Sequence, residues 1–269
     1  MIASVRSWLP PIPLRAARRE APSEAPVPQD SCTLQTSPEP PRGVPWTSLA
    51  TAAALVLGMG LYGTGVYLEA TRPITPDPSQ ITLQQEVEQS RSCQEKKTGR
   101  LSRDGGEVER IQRLGGELAG SNRPGIAYTW TVVDDHLVNA YSCGAGSVVV
   151  DQRLSKGLED PELLFVLAHE KGHNELRHQA ETQSYLQQGW IRLHVPILNI
   201  DPRAGYEQFS RRHELDADCY ALGEIQARGY TVEVAISALR KSHQAAGGGH
   251  DATHPGTRAR EANLLSCRA

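Results

Sequence analysis

The spacing of hydrophobic and polar positions divides the chain into a mainly helical part and a short strand region. Apolar residues recur at helical spacing in several C-terminal segments, and each such stripe predicts a helix packed against a core. Those segments are residues 79–94, 105–119, a buried helix that begins at 160, 206–228, 231–245 and 256–265. β-Branched and aromatic residues predict strands at 125–133 and 147–151. The pattern therefore predicts an α+β fold with one small sheet.

A long apolar segment precedes this part of the chain. Residues 46–68 contain no charged side chain, and about 20 apolar residues cross a bilayer as a helix. A buried core helix and a cleaved signal peptide are the alternatives. The segment begins deep in the chain, however, and no clear small-x-small cleavage site follows it. We therefore expect one transmembrane helix here.

The rest of the domain organisation follows from composition. Residues 1–45 are rich in proline and have little to bury, which predicts a disordered tail. Residues 69–100 are expected to form a linker with a short helix, and residues 101–269 the globular domain. The formal net charge of −3 and the lack of a basic stripe argue against a nucleic-acid partner.

A short motif carries the candidate chemistry. His169, Glu170 and His173 form an H-E-x-x-H sequence inside the predicted buried helix. Histidines four residues apart share one helix face, so both imidazoles can bind one metal ion. The glutamate beside the first histidine can then deprotonate a water molecule on that ion. The motif therefore predicts a hydrolytic zinc site with Glu170 as the general base.

A catalytic zinc takes a third protein ligand, and two carboxylates are candidates. Glu214 and Asp218 lie four residues apart on the predicted helix 206–228, so both face one side. Glu214 can bind the metal while Asp218 accepts a hydrogen bond from a ligand histidine. An ordinary acidic helix face has the same spacing, and that alternative stays open.

Three other polar residues near these motifs receive no role. His178 follows His169 by nine residues, about 180° away on a continuous helix, so we expect it at the surface. His213 points away from Glu214 by about 100° on its helix. Asp216 is expected to be solvated.

The order of the motifs resembles the HtpX-like zinc metallopeptidases, peptidase family M48. The resemblance covers roughly residues 107–261. The motifs that carry it are Val138-Asn139-Ala140-Tyr141 before a glycine turn, residues 159–163 leading into 167–173, the E-x-x-A-D sequence from Glu214 to Asp218, and Thr253-His254-Pro255 followed by Arg260.

The resemblance implies a zincin-type domain that holds one zinc ion per chain and acts on polypeptides. The zinc ligands that it implies are His169, His173 and Glu214. The residues that it implies for catalysis and support are Glu170 as general base, Asp218 behind a ligand histidine, and His254 and Arg260 near the substrate or the oxyanion.

The resemblance also bears on how a substrate is bound. Residues 147–150 resemble the family's edge strand, on which an extended polypeptide docks by β-augmentation. The family's Pro-Gly-Gly region is Cys143-Gly144-Ala145-Gly146 here, so we expect a differently shaped loop. The multiple membrane spans of some members have no counterpart in the sequence, which argues against intramembrane cleavage of prenylated substrates.

The cysteines bear on the compartment. Cys93, Cys143, Cys219 and Cys267 follow the apolar segment without C-x-x-C spacing, so two disulfides are possible in three connectivities. Buried thiols of a cytosolic domain are the alternative. We expect a single-pass membrane protein with a cytoplasmic tail and an extracytoplasmic catalytic domain, periplasmic in a bacterium. Envelope proteins are then possible partners.

These observations lead to one functional hypothesis and two rivals. The hypothesis is a membrane-anchored zinc endopeptidase that hydrolyses misfolded or envelope proteins. The first rival is a non-proteolytic, zinc-stabilised chaperone-like module that holds unfolded chains, with His254 as a possible fourth ligand. Glu170 argues against it, because a purely structural site needs no general base. The second rival is a peptidase released by cleavage of the apolar segment.

Overall fold

The computed structural model describes residues 57–60, 75–97, 100–135, 138–193, 202–247 and 255–267, without the side chains of 189–193 and 202–205. The predicted tail, most of the predicted span and His254 therefore lie outside the described residues. Of the span, residues 57–60 are described, and they are helical. No helix in the described ranges is long and apolar enough to cross a membrane. The described residues from 75 onward belong to one compact unit.

Helices make up most of this unit, as the hydrophobic pattern predicts. In chain order they are α1 Leu83–Glu95, α2 Gly105–Glu117, α3 Gln152–Lys156, α4 Asp160–Glu175, α5 His178–Leu193, α6 Pro202–Gln226, α7 Val232–Ala245 and α8 Thr257–Ser266, with a 3-10 turn at Pro78–Gln80. After α6 the chain turns at Gly229, which has a φ of +84° and whose N–H donates to the Gln226 carbonyl at 2.9 Å. The sequence pattern did not predict α3 or α5.

The sheet has three strands, β1 Thr129–Val133, β2 Ala140–Gly144 and β3 Ser147–Asp151, in the order β1-β3-β2. β3 pairs in parallel with β1 and antiparallel with β2. The expectation of an edge strand at 147–150 is therefore wrong, because β3 is hydrogen-bonded on both sides. Within the described residues β1 and β2 are the edges. The β2–β3 turn uses positive φ at Gly144, Ala145 and Gly146.

The central helix α4 is buried as its apolar sequence predicts. Every residue from Leu163 to Ala168 belongs to the hydrophobic core. The helix begins at residue 160 as predicted, with Glu159 as its N-cap, whose N–H donates to the Glu162 carboxylate at 2.8 Å. Asp160 instead pairs with arginines of α2, Arg110 at 2.6 Å and Arg113 at 2.5 Å. These pairs attach the start of α4 to α2.

Helices α4 and α6 approach closely at two small residues. A Cβ atom added to Gly172 would lie 3.3 Å from Ala217 Cα and 3.1 Å from Tyr220 Cδ1. The small size of Gly172 and Ala217 therefore permits this close approach. This close packing brings the histidines of α4 next to the carboxylates of α6.

Helix α1 is fastened to the domain by a buried charge and a disulfide. Glu86 is 2% exposed and accepts hydrogen bonds from Arg123 and Arg177, each at 2.7 Å. Cys93 of α1 forms a disulfide with Cys143 of β2. A buried carboxylate with two guanidinium partners is well compensated, so α1 is an integral part of the domain.

The segment before α1 lies along α5. Gln188 donates from Nε2 to the Thr75 carbonyl at 3.0 Å, and the Asp77 N–H donates to Ser184 Oγ at 3.0 Å. Arg177, just before α5, donates to the Ile81 carbonyl at 2.6 Å. Residues 75–81 are thus held chiefly by the region around α5.

A second disulfide settles the connectivity that the sequence left open. Cys219 of α6 is bonded to Cys267, the residue after α8. With Cys93–Cys143, this selects one of the three possible pairings. The bridge fixes α8 beside α6, immediately after Asp218.

Candidate metal centre

Three predicted ligands meet between α4 and α6. The Nε2 atoms of His169 and His173 are 3.1 Å apart. His169 Nε2 lies 3.5 Å from Glu214 Oε2, and His173 Nε2 lies 3.4 Å from Glu214 Oε1. Within the described residues, His169, His173 and Glu214 therefore form a group that could hold a metal ion, called the His–His–Glu group below.

The spacing of these atoms fits zinc. Zn–N and Zn–O bonds of about 2.0–2.2 Å in a tetrahedron place neighbouring ligand atoms about 3.3–3.5 Å apart. The two histidine nitrogens lie 3.1 Å apart, and each lies 3.4–3.5 Å from a different oxygen of Glu214, so the carboxylate faces both imidazoles at a distance that suits a shared zinc ion. His169 and Glu214 are buried, so the ligands are already placed by packing.

Asp218 and Arg260 lie behind the ligands. His169 Nδ1 is 3.0 Å from Asp218 Oδ1, which gives the ligand histidine a carboxylate partner. Arg260 donates through Nε and Nη2 to the two oxygens of Asp218, and its Nη1 is 3.2 Å from Glu214 Oε2. Arg260 is 4% exposed. The buried guanidinium of Arg260 therefore contacts the predicted ligand Glu214 directly and supports His169 through Asp218.

The charges at this site shift the pKa values of its groups. Burial alone raises the pKa of Asp218, but Arg260 outweighs it and the pKa is lowered overall, so the carboxylate is ionised. Burial and Arg260 lower the pKa of His169, but hydrogen bonds to Asp218 and Glu214 outweigh them and raise it to about 9. Binding of a divalent cation by His169 therefore releases a proton.

The predicted general base lies on the same helix. Glu170 follows His169 directly and is buried, with an electrostatic interaction with Arg260. Asn174 Nδ2 donates to the Glu170 carbonyl at 3.2 Å and its Oδ1 accepts from the Gly146 N–H at 3.0 Å. Asn174 therefore connects this turn of α4 to the β2–β3 turn. His254, the other predicted catalytic residue, lies outside the described residues.

The prediction that His178 lies at the surface is wrong. Helix α4 ends at Glu175, and Arg177 takes a φ of +59°, so the chain turns before α5 begins at His178. His178 is 5% exposed, and its Nδ1 is 3.0 Å from His173 Nδ1. The sequence held no signal for this turn, because arginine rarely adopts a left-handed conformation.

His213 also has a place in the site, contrary to the prediction. It is buried, its ring stacks on that of His178 with centroids 3.9 Å apart, and its Nε2 is 2.6 Å from Glu181 Oε2. The helical rotation away from Glu214 was correct, but α5 fills the space on that side of α6. Asp216 is exposed, as predicted.

The sequence of this domain matches a known family. The profile of peptidase family M48 matches residues 106–268, more than half of the chain. The chain belongs to peptidase family M48. Members of this family use zinc, and the His–His–Glu group could hold such an ion, so the domain is of the zinc metallopeptidase type. The family resemblance inferred from the motifs is confirmed, while α1 lies before the matched region.

A curated relative agrees with the family. The chain is 32% identical over 149 residues to the mitochondrial metalloendopeptidase OMA1 of Arabidopsis thaliana. The alignment covers 51% of this chain and 31% of the relative. The M48 chain thus spans less than a third of that protein's length.

Proposed function

We propose that this M48 peptidase is a membrane-anchored zinc endopeptidase that cleaves misfolded or envelope polypeptides outside the cytoplasm. The observation that carries the proposal is the buried His169–His173–Glu214 group at zinc-ligand spacing, with Glu170 beside it. The uncharged segment at 46–68 supports the anchor. The two disulfides support an oxidising compartment.

In the proposed mechanism each residue has a distinct task. Zinc, when bound, supplies a Lewis acid that polarises the scissile carbonyl and activates a water molecule. Glu170 accepts the proton of the attacking water and delivers it to the leaving amine. Asp218 orients His169, and Arg260 lies beside the carboxylates of Asp218 and Glu214 and lowers the pKa of Asp218.

Substrate contacts are assigned to the sheet edge and to the segment before α8. β2 is an edge within the described residues and packs against α4, so we place an extended substrate along it. His254 precedes α8, the helix that carries Arg260, and we retain it as a candidate for contact with the substrate or oxyanion. The contacts of Arg260 with Asp218 and Glu214 favour a positioning role for it.

The test is cleavage of unfolded casein by the full-length protein in detergent, with zinc and with chelator. Glu170→Gln should retain zinc but lose activity by about 10²–10⁴-fold, because the proton acceptor is gone. Asp216→Asn, an exposed carboxylate on α6, is the matched control and should cleave normally. Undiminished cleavage by Glu170→Gln would overturn the mechanism.

The same experiment separates the rival functions. Stoichiometric zinc without cleavage by the wild type would favour the chaperone-like module, and suppression of casein aggregation would then be measured. N-terminal sequencing of the protein from its native membrane distinguishes an anchored peptidase from a released one.

A further inference from the structure

The second ligand histidine has a partner that is neither a carboxylate nor a backbone carbonyl. His173 Nε2 faces the other ligand atoms, at 3.1 Å from His169 Nε2 and 3.4 Å from Glu214 Oε1. Its Nδ1 lies 3.0 Å from His178 Nδ1. We propose that His178 is a positioning residue that accepts the Nδ1–H of His173 and fixes that imidazole for zinc binding.

The hydrogen bond has a definite direction. An imidazole that binds zinc through Nε2 keeps its hydrogen on Nδ1, so His173 must be the donor. His178 must then accept through an unprotonated Nδ1 and carry its own hydrogen on Nε2. A metal-bound histidine usually donates its second N–H to such a partner. The partner of His169 is Asp218, and the partner of His173 is His178.

The ring of His178 is held in place by α6. It stacks on His213 with an angle of 6° between the planes and 3.9 Å between centroids. Phe209 packs edge-on against His213 at 4.0 Å, and Glu181 lies 2.6 Å from His213 Nε2. Translation and rotation of the His178 ring are therefore both restricted, which keeps its Nδ1 on the His173 side.

The arrangement links both ligand-bearing helices through α5. His178 and Glu181 lie on the first turn of α5, and His213 immediately precedes Glu214 on α6. A connected path thus runs from His173 through His178 and His213 to Glu181. Loss of the acceptor should loosen His173, and zinc affinity should fall more than stability does.

The competing explanation is that His178 only packs in an aromatic cluster and does not position His173. Two variants of His178 distinguish these explanations. His178→Phe keeps a ring that can stack on His213 but cannot accept a hydrogen bond. His178→Asn loses the ring, but its amide oxygen can occupy the place of Nδ1. The proposal rests on the zinc site of the proposed function, so the measured quantity is zinc affinity and not turnover.

The experiment uses the full-length protein in detergent and competition for zinc with a chromophoric chelator. We expect His178→Phe to lose zinc affinity about 10–100-fold, and His178→Asn to recover most of that loss. In the cobalt-substituted protein the d–d absorption should shift in His178→Phe and return towards wild type in His178→Asn. Thermal unfolding of the metal-free variants reports folding independently.

Each outcome has a defined meaning. Equal zinc affinity in His178→Phe and wild type, or an equal loss in both variants, overturns the positioning role. A wild type that binds no zinc refutes the proposed function instead. If His178→Phe does not fold, His178→Ala replaces it, and a failure of His178→Asn to bind zinc more tightly than His178→Ala overturns the proposal.

Discussion

Arg177 shows how a single residue redirects the chain beside the metal centre. Its φ of +59° costs roughly 1–2 kcal/mol for a residue other than glycine. Its side chain donates to Glu86 at 2.7 Å, and that carboxylate also pairs with Arg123. The buried ion pairs offset the backbone strain and hold the turn that carries His178.

This account predicts the effect of removing the shared carboxylate. Glu86→Gln should lower the free energy of unfolding by about 3 kcal/mol, because Arg123 and Arg177 lose a buried counter-charge. Urea unfolding measures the change. Glu88→Gln, an exposed position on the same helix, is the control and should change stability by less than about 0.5 kcal/mol. Equal stabilities of the two variants would contradict the assigned role.

At the scale of elements, helix–sheet packing depends on which side of a helix carries glycine. Gly115 and Gly116 are neighbours on α2, but Gly115 faces Trp130 of β1. A Cβ added to Gly115 would lie 2.5 Å from the indole ring, while one added to Gly116 would meet nothing within 4 Å. The first glycine permits close packing, and the second has no such role in the described structure.

Alanine substitutions at these two adjacent glycines should therefore change the free energy of unfolding in opposite directions. Gly116→Ala should stabilise the protein by about 0.5–1 kcal/mol through helix propensity. Gly115→Ala gains the same propensity but must displace Trp130, and we expect a net loss of about 1–2 kcal/mol. Thermal unfolding of the two variants, with tryptophan fluorescence as the probe, checks both signs. Stabilisation by Gly115→Ala would show that the ring moves freely.

The same scale shows what the sequence could and could not predict. Helices α2 and α7 have a clear apolar stripe and α4 a continuous apolar run, and the sequence located these three, as well as α6 and α8, to within a few residues. α5 follows α4 after only two residues, and no sequence signal marks the turn at Arg177, so α5 was not predicted as a separate helix. The central place of β3 depends on pairing with strands distant in sequence, which local patterns do not encode.

The candidate site divides in the same way. H-E-x-x-H and E-x-x-A-D place their groups by helical periodicity alone, so His169, His173, Glu214 and Asp218 could be identified from spacing and resemblance. His178 and His213 could not, because their positions follow from the turn at Arg177. Tertiary packing made ordinary-looking histidines part of the site.

At the scale of the whole molecule, two disulfides constrain regions on either side of α4. Cys93–Cys143 and Cys219–Cys267 span 50 and 48 residues of sequence, and neither loop encloses the helix that carries His169 and His173. Loops of this size reduce the entropy of the unfolded chain considerably. The bridges therefore stabilise the parts around the metal centre without bonding to α4 itself.

Removal of the Cys219–Cys267 disulfide should destabilise the folded protein. The double substitution Cys219→Ala and Cys267→Ala should lower the free energy of unfolding by about 4 kcal/mol on the loop-entropy account. Denaturant unfolding of the oxidised protein measures this, and a dithiol should produce a comparable or larger loss in the wild type. Cys32→Ala, outside both bridges, is the control. Unchanged stability of the double variant would refute the stabilising role.

The attachment of residues 75–81 to α5 has a mechanical consequence. A pull on the polypeptide N-terminal of Thr75 would be borne first by its bond to Gln188 and by the bond between Asp77 and Ser184. Both partners lie on α5, the helix that begins with His178. Tension on that segment would therefore reach the candidate metal centre along one helix, without first deforming the sheet.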